Sequence, residues 1–571
     1  MKKLITSAVA LAAAVALTAG CSSDDKDTGS DSTGGATTTA TATDTPAGEA
    51  TDTTDTTEPG GDTETTDTGG VAYAEDGTFT IVFVGDPSTL NPLNNPTNYG
   101  NWLFRFIYDP LVNRAPDGSI ISGLATEWTY DGTDATFQIN PDATCYDGSA
   151  VTPSVIKKSF DYMLDPENPA TNIGSVLPNR NYSTEADDAA GTFTIHLEET
   201  FSQLLPALSF QFIPCGPGAD DPEGITLSSG SGPFTLESAV PSSEYVLAKR
   251  EGYTWGAGGA TNDAEGFPAK VVIKIVADET TAANLLISGE VNAAIINGQD
   301  QQRVLDAGAE IQTYTLGGIL QSYSQVEGKL TADKTIRQAL AMSVDRGSVA
   351  TVMTNGLRPE PGTSVAPATP KLCQDDASAA SAIPAYDPAA AGALLDEAGW
   401  VLGSDGIREK DGQKLHLSVS YNTSVGPAAA AVEFMAEDWK AVGFDIEIKP
   451  LEHSDYLQTL NQTGDFDIMG IEVFSNPFPS TITGMFAGAY PPDGMNAQHI
   501  DNQEYKDAIA QAIVTPENYG CEYWNKASEA LFSNVDLLPI GEWPTNWLVI
   551  GGEFEALGGR PLATALRVYA S

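Results

Sequence analysis

The chain contains 571 residues, with 77 acidic side chains against 28 basic ones and a formal net charge of −49 at pH 7. A field of this sign repels phosphate backbones and anionic lipid head groups, so the composition argues against nucleic acid as a partner. Solubility or adaptation to salt is the simpler explanation of the acidity, and a cationic ligand is the functional alternative.

The N-terminus predicts export and a lipid anchor. Lys2 and Lys3 precede an uncharged apolar run at 4–17, which is typical of a signal peptide and shorter than the roughly 20 residues of a membrane-spanning helix. The run ends in L-T-A-G-C, which resembles the lipobox of bacterial lipoproteins. We therefore predict a lipoprotein signal peptide over 1–20 and a lipid on Cys21 that holds the protein on the outer face of the cell membrane. Ordinary secretion is the alternative.

The next segment predicts a disordered tether over 21–70. Residues 22–70 contain 17 Thr and 12 acidic residues but no Val, Ile, Leu, Met, Phe, Tyr or Trp. Such a composition has no apolar surface to offset the entropy of ordering, and its like charges extend the coil. We expect this segment to hold the folded part away from the bilayer.

Beyond residue 70, strand patterns alternate with helix patterns. Residues 79–85, 271–276 and 415–421 are rich in β-branched and aromatic side chains and predict strands. Three helices are predicted from capping residues and from apolar residues that recur every four positions. They begin at Thr152-Pro153, contain Ile336, Leu340 and Val344, and run from Asp387-Pro388 to Gly399. This mixed order predicts α/β layers.

Four cysteines follow Cys21, at positions 145, 215, 373 and 521. An even number outside the cytoplasm predicts two disulfides, and four cysteines allow three pairings. The long spacings contain no C-x-x-C, which argues against a zinc site.

Nine short motifs follow one another between residues 86 and 400. They are DPSTLNP (86–92), IYDPLV (107–112), PDG (116–118), GLATEW (123–128), YDGSAVT (146–152), GSGPF (230–234), ISGEVN (287–292), DKTIRQALAMSVDR (333–346) and YDP…AGW (386–400). Their order and spacing resemble those of family 5 extracellular solute-binding proteins, the oligopeptide-, dipeptide- and nickel-binding group. The likeness covers nearly everything from residue 78 to 545.

This resemblance implies a two-lobed α/β fold of the periplasmic-binding-protein type, in its large three-subdomain form with a hinge between the lobes. Lobe I would comprise 71–317 and 541–571, with an appended subdomain at about 108–225, and lobe II would comprise 318–540. The two chain crossings are placed near Gly317 and Trp543. On this fold the favoured disulfides are Cys145–Cys215 and Cys373–Cys521, because each pair then lies within one lobe.

The same resemblance implies the substrate-binding component of an ABC importer, a monomer without a cofactor. It would capture a small solute (a peptide or peptide-like compound, a sugar or another organic compound) in the cleft between the lobes. Ligand binding would favour the closed state, which the ABC permease in the membrane reads. A membrane-tethered sensor on the same fold, without transport, is the alternative.

The resemblance also implies a set of ligand-binding residues. One ligand-contacting segment of the oligopeptide-binding members corresponds to Thr97, Asn98 and Tyr99. At the second segment those members carry a Trp and an Asp that pairs with the α-amine of the peptide, where this chain has Gly470 and Val473. The neighbouring Glu472 should point to the opposite face of its strand. The remaining candidates are Phe474, Asn476 and Phe478, with Trp102, Tyr323 and Trp543 as stacking surfaces.

Catalysis finds little support in the sequence. The chain has four His and no H-E-x-x-H pattern, no G-x-S-x-G elbow and no Walker loop. We therefore predict no enzyme activity and no protein-bound metal, although the same scaffold would also suit a haem or nickel-chelate receptor.

Overall fold

The structure is a computed structural model that describes residues 72–95, 97–174, 176–374, 377–475 and 477–570. The predicted signal peptide, Cys21 and the tether lie outside the described residues, as does Asn476. Among the residues described, no helix combines the length and apolarity needed to cross a bilayer.

The strands are numbered in chain order. They are β1 Thr78–Phe83, β2 Val112–Arg114, β3 Ile120–Ser122, β4 Ala125–Tyr130, β5 Asp134–Ile139, β6 Tyr182–Asp187, β7 Thr192–Leu197, β8 Phe234–Val240, β9 Glu244–Lys249, β10 Lys270–Ile275, β11 Ala293–Ile295, β12 Glu310–Tyr323, β13 Val401–Leu402, β14 Arg408–Lys410, β15 Gln413–Lys414, β16 His416–Asn422, β17 Asp445–Leu451, β18 Ile468–Phe474, β19 Leu537–Val549, β20 Gly552–Glu553, β21 Ala556–Leu557, β22 Arg560–Pro561 and β23 Arg567–Val568.

The α-helices are numbered in the same way. They are α1 Asn98–Ile107, α2 Pro153–Leu164, α3 Leu204–Leu208, α4 Glu279–Ile287, α5 Gln301–Asp306, α6 Lys334–Ser343, α7 Arg346–Met353, α8 Ala377–Ala382, α9 Pro388–Glu397, α10 Ala428–Val442, α11 His453–Gln458, α12 Thr483–Ala487, α13 Gln503–Val514 and α14 Cys521–Ser533.

The predicted elements form for the expected reasons. Strands β1, β10 and β16 lie where the apolar β-branched runs predicted them. Thr152 caps α2 by accepting a hydrogen bond from the Val155 amide, and Asp387 caps α9 by accepting one from the Ala390 amide. Each cap is followed by Pro in the first turn, whose fixed φ suits a helix start.

The largest sheet of the described residues has ten strands, in the order β17-β16-β18-β12-β19-β11-β1-β10-β9-β8. We call the side from β11 to β8 the first lobe and the side from β18 to β17 the second lobe. Separate hydrophobic cores cover the two sides, one around Phe79, Trp102 and Trp547 and the other around Trp439 and Ile468. The predicted mixed α/β class is confirmed, and the sheet layers of the two lobes are continuous.

The sheet is continuous because two long strands, β12 and β19, belong to both lobes. They pair antiparallel from Glu310↔Val549 to Ser322↔Leu537. The register shifts twice, between Thr315 and Gly317 and between Ile319 and Leu320. Such bulges interrupt the ladder and bend a strand locally. We call β12 and β19 the crossing strands.

A four-stranded antiparallel sheet, β4-β5-β7-β6, packs against α2 and forms its own core. Phe137, Phe160 and Phe193 are fully buried there. One disulfide joins Cys145 to Cys215 in this core, and a second joins Cys373 to Cys521. These are the two pairs that the fold-based argument favours.

Candidate ligand-binding site

A cavity of about 440 Å³ lies between the first turn of α1 and the segment that follows β18. We call it the cleft cavity. Asn95, Thr97, Asn98 and Asn101 form part of its first-lobe wall. The second-lobe wall is formed by Ser475, Pro477, Phe478 and Thr481. A ligand bound here would therefore contact the chain on both sides of the crossing strands.

The first turn of α1 is held by a network of short-range hydrogen bonds. Thr97 is the N-cap, and its hydroxyl accepts from the Gly100 amide at 3.1 Å and donates to the Pro87 carbonyl at 3.1 Å. The side chain of Asn95 donates to the carbonyl oxygen of Thr97 at 2.8 Å. These contacts use both side chains internally and fix the position of the turn.

Another part of the wall is formed by Thr171, Asn172, Gly174 and Val176. The Asn95 amide donates to the Thr171 hydroxyl at 2.8 Å, which ties this part of the wall to the start of α1. The Asn172 side chain donates to the Pro92 carbonyl at 3.2 Å and to the Gln211 side chain at 2.9 Å. These hydrogen bonds are made within the protein, so this part of the wall does not need a ligand to satisfy its polar groups.

Two side-chain amides of the cleft cavity are available for hydrogen bonds to a ligand. Asn98 and Asn101 lie one turn apart on the same face of α1 and line the cavity. Among the described residues, neither side chain has a hydrogen-bond partner. Each could donate to and accept from a polar group of a ligand.

Phe478 connects the two lobes. It follows β18, yet its side chain is 2% exposed and belongs to the core of the four-stranded subdomain. Its ring meets Phe210 edge to face at a centroid distance of 5.5 Å, and Ser480 donates its amide to Gln203 at 3.4 Å. The cleft cavity is thus bordered by a direct contact between the lobes.

Tyr99 and Trp102, which the family resemblance placed at the ligand, do not line the cleft cavity. Trp102 is 3% exposed and packs against Phe83 and Trp547, with centroid distances of 5.3 and 5.6 Å. The Tyr99 ring packs on Trp102, and burial raises the pKa of the Tyr99 hydroxyl. Both rings serve the first-lobe core.

Tyr323 and Phe474 do not line the cleft cavity either. Tyr323 is fully buried in the second-lobe core at the far end of β12, and its hydroxyl lacks a partner among the described residues. Phe474 pairs with Gly318 across β18 and β12 and packs against the same core. Of the nine residues predicted, the structure brings Thr97, Asn98 and Phe478 together at this cavity.

Trp543 lines a second cavity, of about 350 Å³, together with Val473, Pro544 and Glu279. Val473 is the residue that the family resemblance matched to the amine-binding Asp of oligopeptide-binding members. Its neighbour Glu472 is 1% exposed on the opposite face of β18, where it accepts a hydrogen bond from Ser322. Glu472 therefore points away from this second cavity, as strand alternation predicts.

Several residues of the cleft cavity were not predicted from the sequence, notably Asn101, Asn172, Phe210 and Arg560. Asn101 could have been found from the helical period, since it lies three residues after Asn98. Arg560 lies near the C-terminus, beyond the motif series, and no local pattern marks it. Among the described residues, no three His, Cys, Asp or Glu side chains are grouped to hold a metal ion.

Comparison with known proteins identifies the family. The model of bacterial extracellular solute-binding proteins, family 5 Middle, matches residues 119–492. The chain belongs to this family. Family 5 consists of extracytoplasmic binding proteins, and membership confirms the predicted two-lobed fold and the predicted role as the solute-binding component of an ABC importer.

Individual relatives of this family 5 protein are distant. The nickel-binding periplasmic protein of Escherichia coli is 25% identical over 413 residues, 69% of this chain and 75% of the relative. The periplasmic murein peptide-binding protein MppA of the same organism is 24% identical over 499 residues, 81% of this chain and 87% of the relative. A substrate-binding protein from Microbacterium hydrocarbonoxydans, solved with 4-hydroxybenzoate hydrazide, superposes with a TM-score of 0.65 at 24% identity, covering 86% of this chain and 99% of its own.

Proposed function

We propose that this family 5 protein captures a small organic solute in the cleft cavity and delivers it, unaltered, to an ABC permease. The observation that carries the proposal is that the walls of the cavity come from both sides of the crossing strands. A ligand that bridges these walls stabilises the closed arrangement through its greater affinity for it. The permease would read that arrangement.

The proposal includes the division of the chain into lobes. Lobe I would comprise 71–317 and 541–571, with an appended subdomain at about 108–225, and lobe II would comprise 318–540. The proposed hinge lies at Gly317 and Trp543, next to a register shift of the crossing strands. A bulge there supports the assignment, because it weakens the ladder where bending is needed.

The lining of the cleft cavity limits the cargo. Among the described residues that line it, none is acidic, and a buried ammonium without a carboxylate is costly. The amides of Asn98 and Asn101, with the ring of Phe210, suit polar solutes that carry a flat apolar part. We propose a cargo without a free amine at this site, such as a blocked or cyclic peptide, a sugar or an aromatic compound.

Localisation completes the proposal. A lipid on Cys21 would hold the protein at the outer face of the cell membrane, and the acidic segment up to residue 70 would serve as a tether for a monomeric binding module. Partition of the full-length protein into detergent, and its loss in a Cys21→Ser variant, would test the anchor. Release of the wild-type protein into the aqueous phase would contradict it.

The function is tested by a thermal-shift screen of the full chain against blocked peptides, free dipeptides, oligosaccharides, aromatic acids and amides, and metal chelates. A ligand at 100 times its Kd should stabilise the fold by about 2.7 kcal/mol. Compounds that bind should reduce the radius of gyration of the protein in solution scattering. They should also be recovered chemically unchanged. A chain that binds nothing in this panel, or that converts a hit chemically, contradicts the proposal.

A further inference from the structure

Three arginines from different elements lie around one small void next to the cleft cavity. Arg105 lies in the last turn of α1, Arg114 ends β2 and Arg560 begins β22. Together with Phe210 they line a void of about 10 Å³, which holds at most about one water molecule. Arg560 lines the cleft cavity as well, so the cluster is connected to the proposed ligand site.

The charges of this arginine cluster are not neutralised by any residue that the structure describes. Arg114 and Arg560 are each 6% exposed, and the Nε atom of all three arginines is buried without a partner. In the part of the chain that the structure describes, no carboxylate lies within ion-pair distance of any of the three. Such an arrangement is unexpected in a chain whose net charge is −49.

The cluster is held by neutral groups. The Arg560 guanidinium lies 4.9 Å from the centroid of Phe210, and Arg105 lies 5.9 Å from the same centroid. Arg114 lies 5.5 Å from the centroid of Phe478 and donates to the Pro370 carbonyl at 2.8 Å. Aromatic faces and a carbonyl attract a cation but leave its charge uncompensated.

The three side chains stay charged under physiological conditions. Burial, followed by repulsion from Arg105 and Arg114, lowers the pKa of Arg560 to about 9. Burial lowers the pKa of Arg105 and of Arg114 to about 10. All three remain protonated at pH 7, so positive potential persists at the floor of the cleft cavity.

We propose that Arg560 binds a carboxylate of the cargo at the floor of the cleft cavity, with Arg105 and Arg114 supplying positive potential behind it. The inference rests on the proposed function, because it assumes that the cleft cavity is the ligand site. A carboxylate fits because the planar fork of one guanidinium matches it with two parallel hydrogen bonds. Arg560 is the direct contact because it lines the cleft cavity, whereas Arg105 and Arg114 do not.

The backbone around Arg560 is suited to presenting a fixed guanidinium. Residues 556–561 form a hairpin in which Leu557 pairs with Arg560, and its turn is Gly558-Gly559. Both glycines have positive φ, at 59° and 75°, as a tight two-residue turn requires. A binding group held in this way loses little freedom when a ligand arrives.

The test uses the full chain and a panel of carboxylic acids, each paired with its own amide: N-acetylphenylalanine, N-acetylalanylalanine and benzoate. Phenyl phosphate is added to separate a carboxylate from a phosphate. Affinity is measured by calorimetry at low and physiological salt. We expect at least one acid to bind ten-fold or more tightly than its amide and more tightly than phenyl phosphate.

Variants assign the preference to the arginine. In Arg560→Gln, the affinities for an acid and for its amide should differ by no more than about two-fold. Arg560→Lys should retain part of the preference for the acid, because lysine keeps the positive charge but lacks the planar guanidinium. Arg303→Gln is the matched control, since Arg303 is surface-exposed and pairs with Asp300 at 2.9 Å. The control should bind like the wild type.

The outcomes separate the two proposals. If neutral solutes bind but no acid exceeds its amide, the carboxylate site is wrong while the transport function stands. Tighter binding of phenyl phosphate would also overturn it, in favour of a phosphate-bearing cargo. If Arg560→Gln fails to fold, the carboxylate site can still be tested. The affinities of the wild type and of Arg560→Lys for each acid and its amide are then compared. If neither acids nor any neutral solute or chelate binds, the proposed function itself fails.

Discussion

Gly317 and Trp543 are direct register partners on the two crossing strands, and the strand-strand register shifts between Thr315 and Gly317. Gly317 also approaches the neighbouring strand closely. A Cβ atom at this position would lie only 1.8 Å from the carbonyl oxygen of Phe474. The three strands β18, β12 and β19 therefore meet at a point where only glycine fits without displacement of the backbone.

Gly317→Ala should destabilise the fold, because the contact is with backbone that cannot rotate away. We expect a loss of roughly 1–3 kcal/mol in the free energy of unfolding, measured by urea denaturation. Gly426→Ala is the control, since a Cβ atom there meets nothing within 4 Å. Equal stability of the two variants would show that β18 can shift to accommodate a methyl group.

Phe478→Ala should weaken the contact between the lobes. The Phe478 side chain is buried against Phe210 and Arg114, so its removal costs packing on the first-lobe side of the cleft cavity. We expect a larger radius of gyration in solution scattering and at least ten-fold weaker ligand binding. Phe434→Ala serves as the control, because Phe434 is an exposed residue of α10. An unchanged scattering profile would show that the Phe478 contact does not hold the lobes together.

Glu472→Gln should change the dependence of stability on pH. Burial raises the pKa of the Glu472 carboxyl to about 7, with the Ser322 hydrogen bond acting in the opposite direction. Since the unfolded chain releases this proton near pH 4.5, the folded state alone holds it between about pH 4.5 and 7. Stability contributed by this group therefore falls as pH rises through that range, by roughly 3 kcal/mol in total.

The Glu472→Gln variant should match the wild type below about pH 4.5 and exceed it above pH 7. Comparing urea midpoints of the two proteins across this range cancels the titration of the other acidic groups. Glu327→Gln, at an exposed position, controls for the loss of one negative charge. A constant difference between wild type and Glu472→Gln at all pH values would contradict the prediction.

Val473→Asp should create an ammonium site in the second cavity, beside Trp543. A carboxylate at this position would pair with the α-amine of a bound peptide and offset its desolvation. We expect alanylphenylalanine to bind roughly ten-fold more tightly than it binds wild type, with its N-acetyl derivative unaffected. Val473→Asn, a neutral variant of similar size, should show no gain. An equal gain for the acetylated peptide would rule out amine recognition.

Much of the fold follows from local sequence. The capping residues Thr152 and Asp387 mark helix starts because the side chain satisfies an otherwise free amide within three residues. The continuity of the sheet could not be predicted in this way. It depends on the unusual length of β12 and β19, and Gly317-Gly318 in the middle of β12 weakens any local strand signal.

The site was only partly predictable because motif position does not specify side-chain direction. Asn98 and Asn101 share one face of α1, whereas Tyr99 and Trp102 share another that packs on the first-lobe core. The sequence did contain a usable indication, because the helical period places the two asparagines on one face of α1 and the two aromatic residues on another. Arg560 depends on a C-terminal hairpin that returns to α1 and β2, and such a long-range contact leaves no mark in the local sequence.

The crossing strands also restrict how this receptor can move. Both passages of the chain between the lobes belong to one hydrogen-bonded ribbon, so sliding one lobe past the other would break its entire ladder at once. Bending or twisting at the two bulges would break few of these hydrogen bonds, because the ladder is already interrupted there. The proposed closure would therefore be a rotation about a short axis at the two bulges, and the permease would read the orientation of one lobe relative to the other.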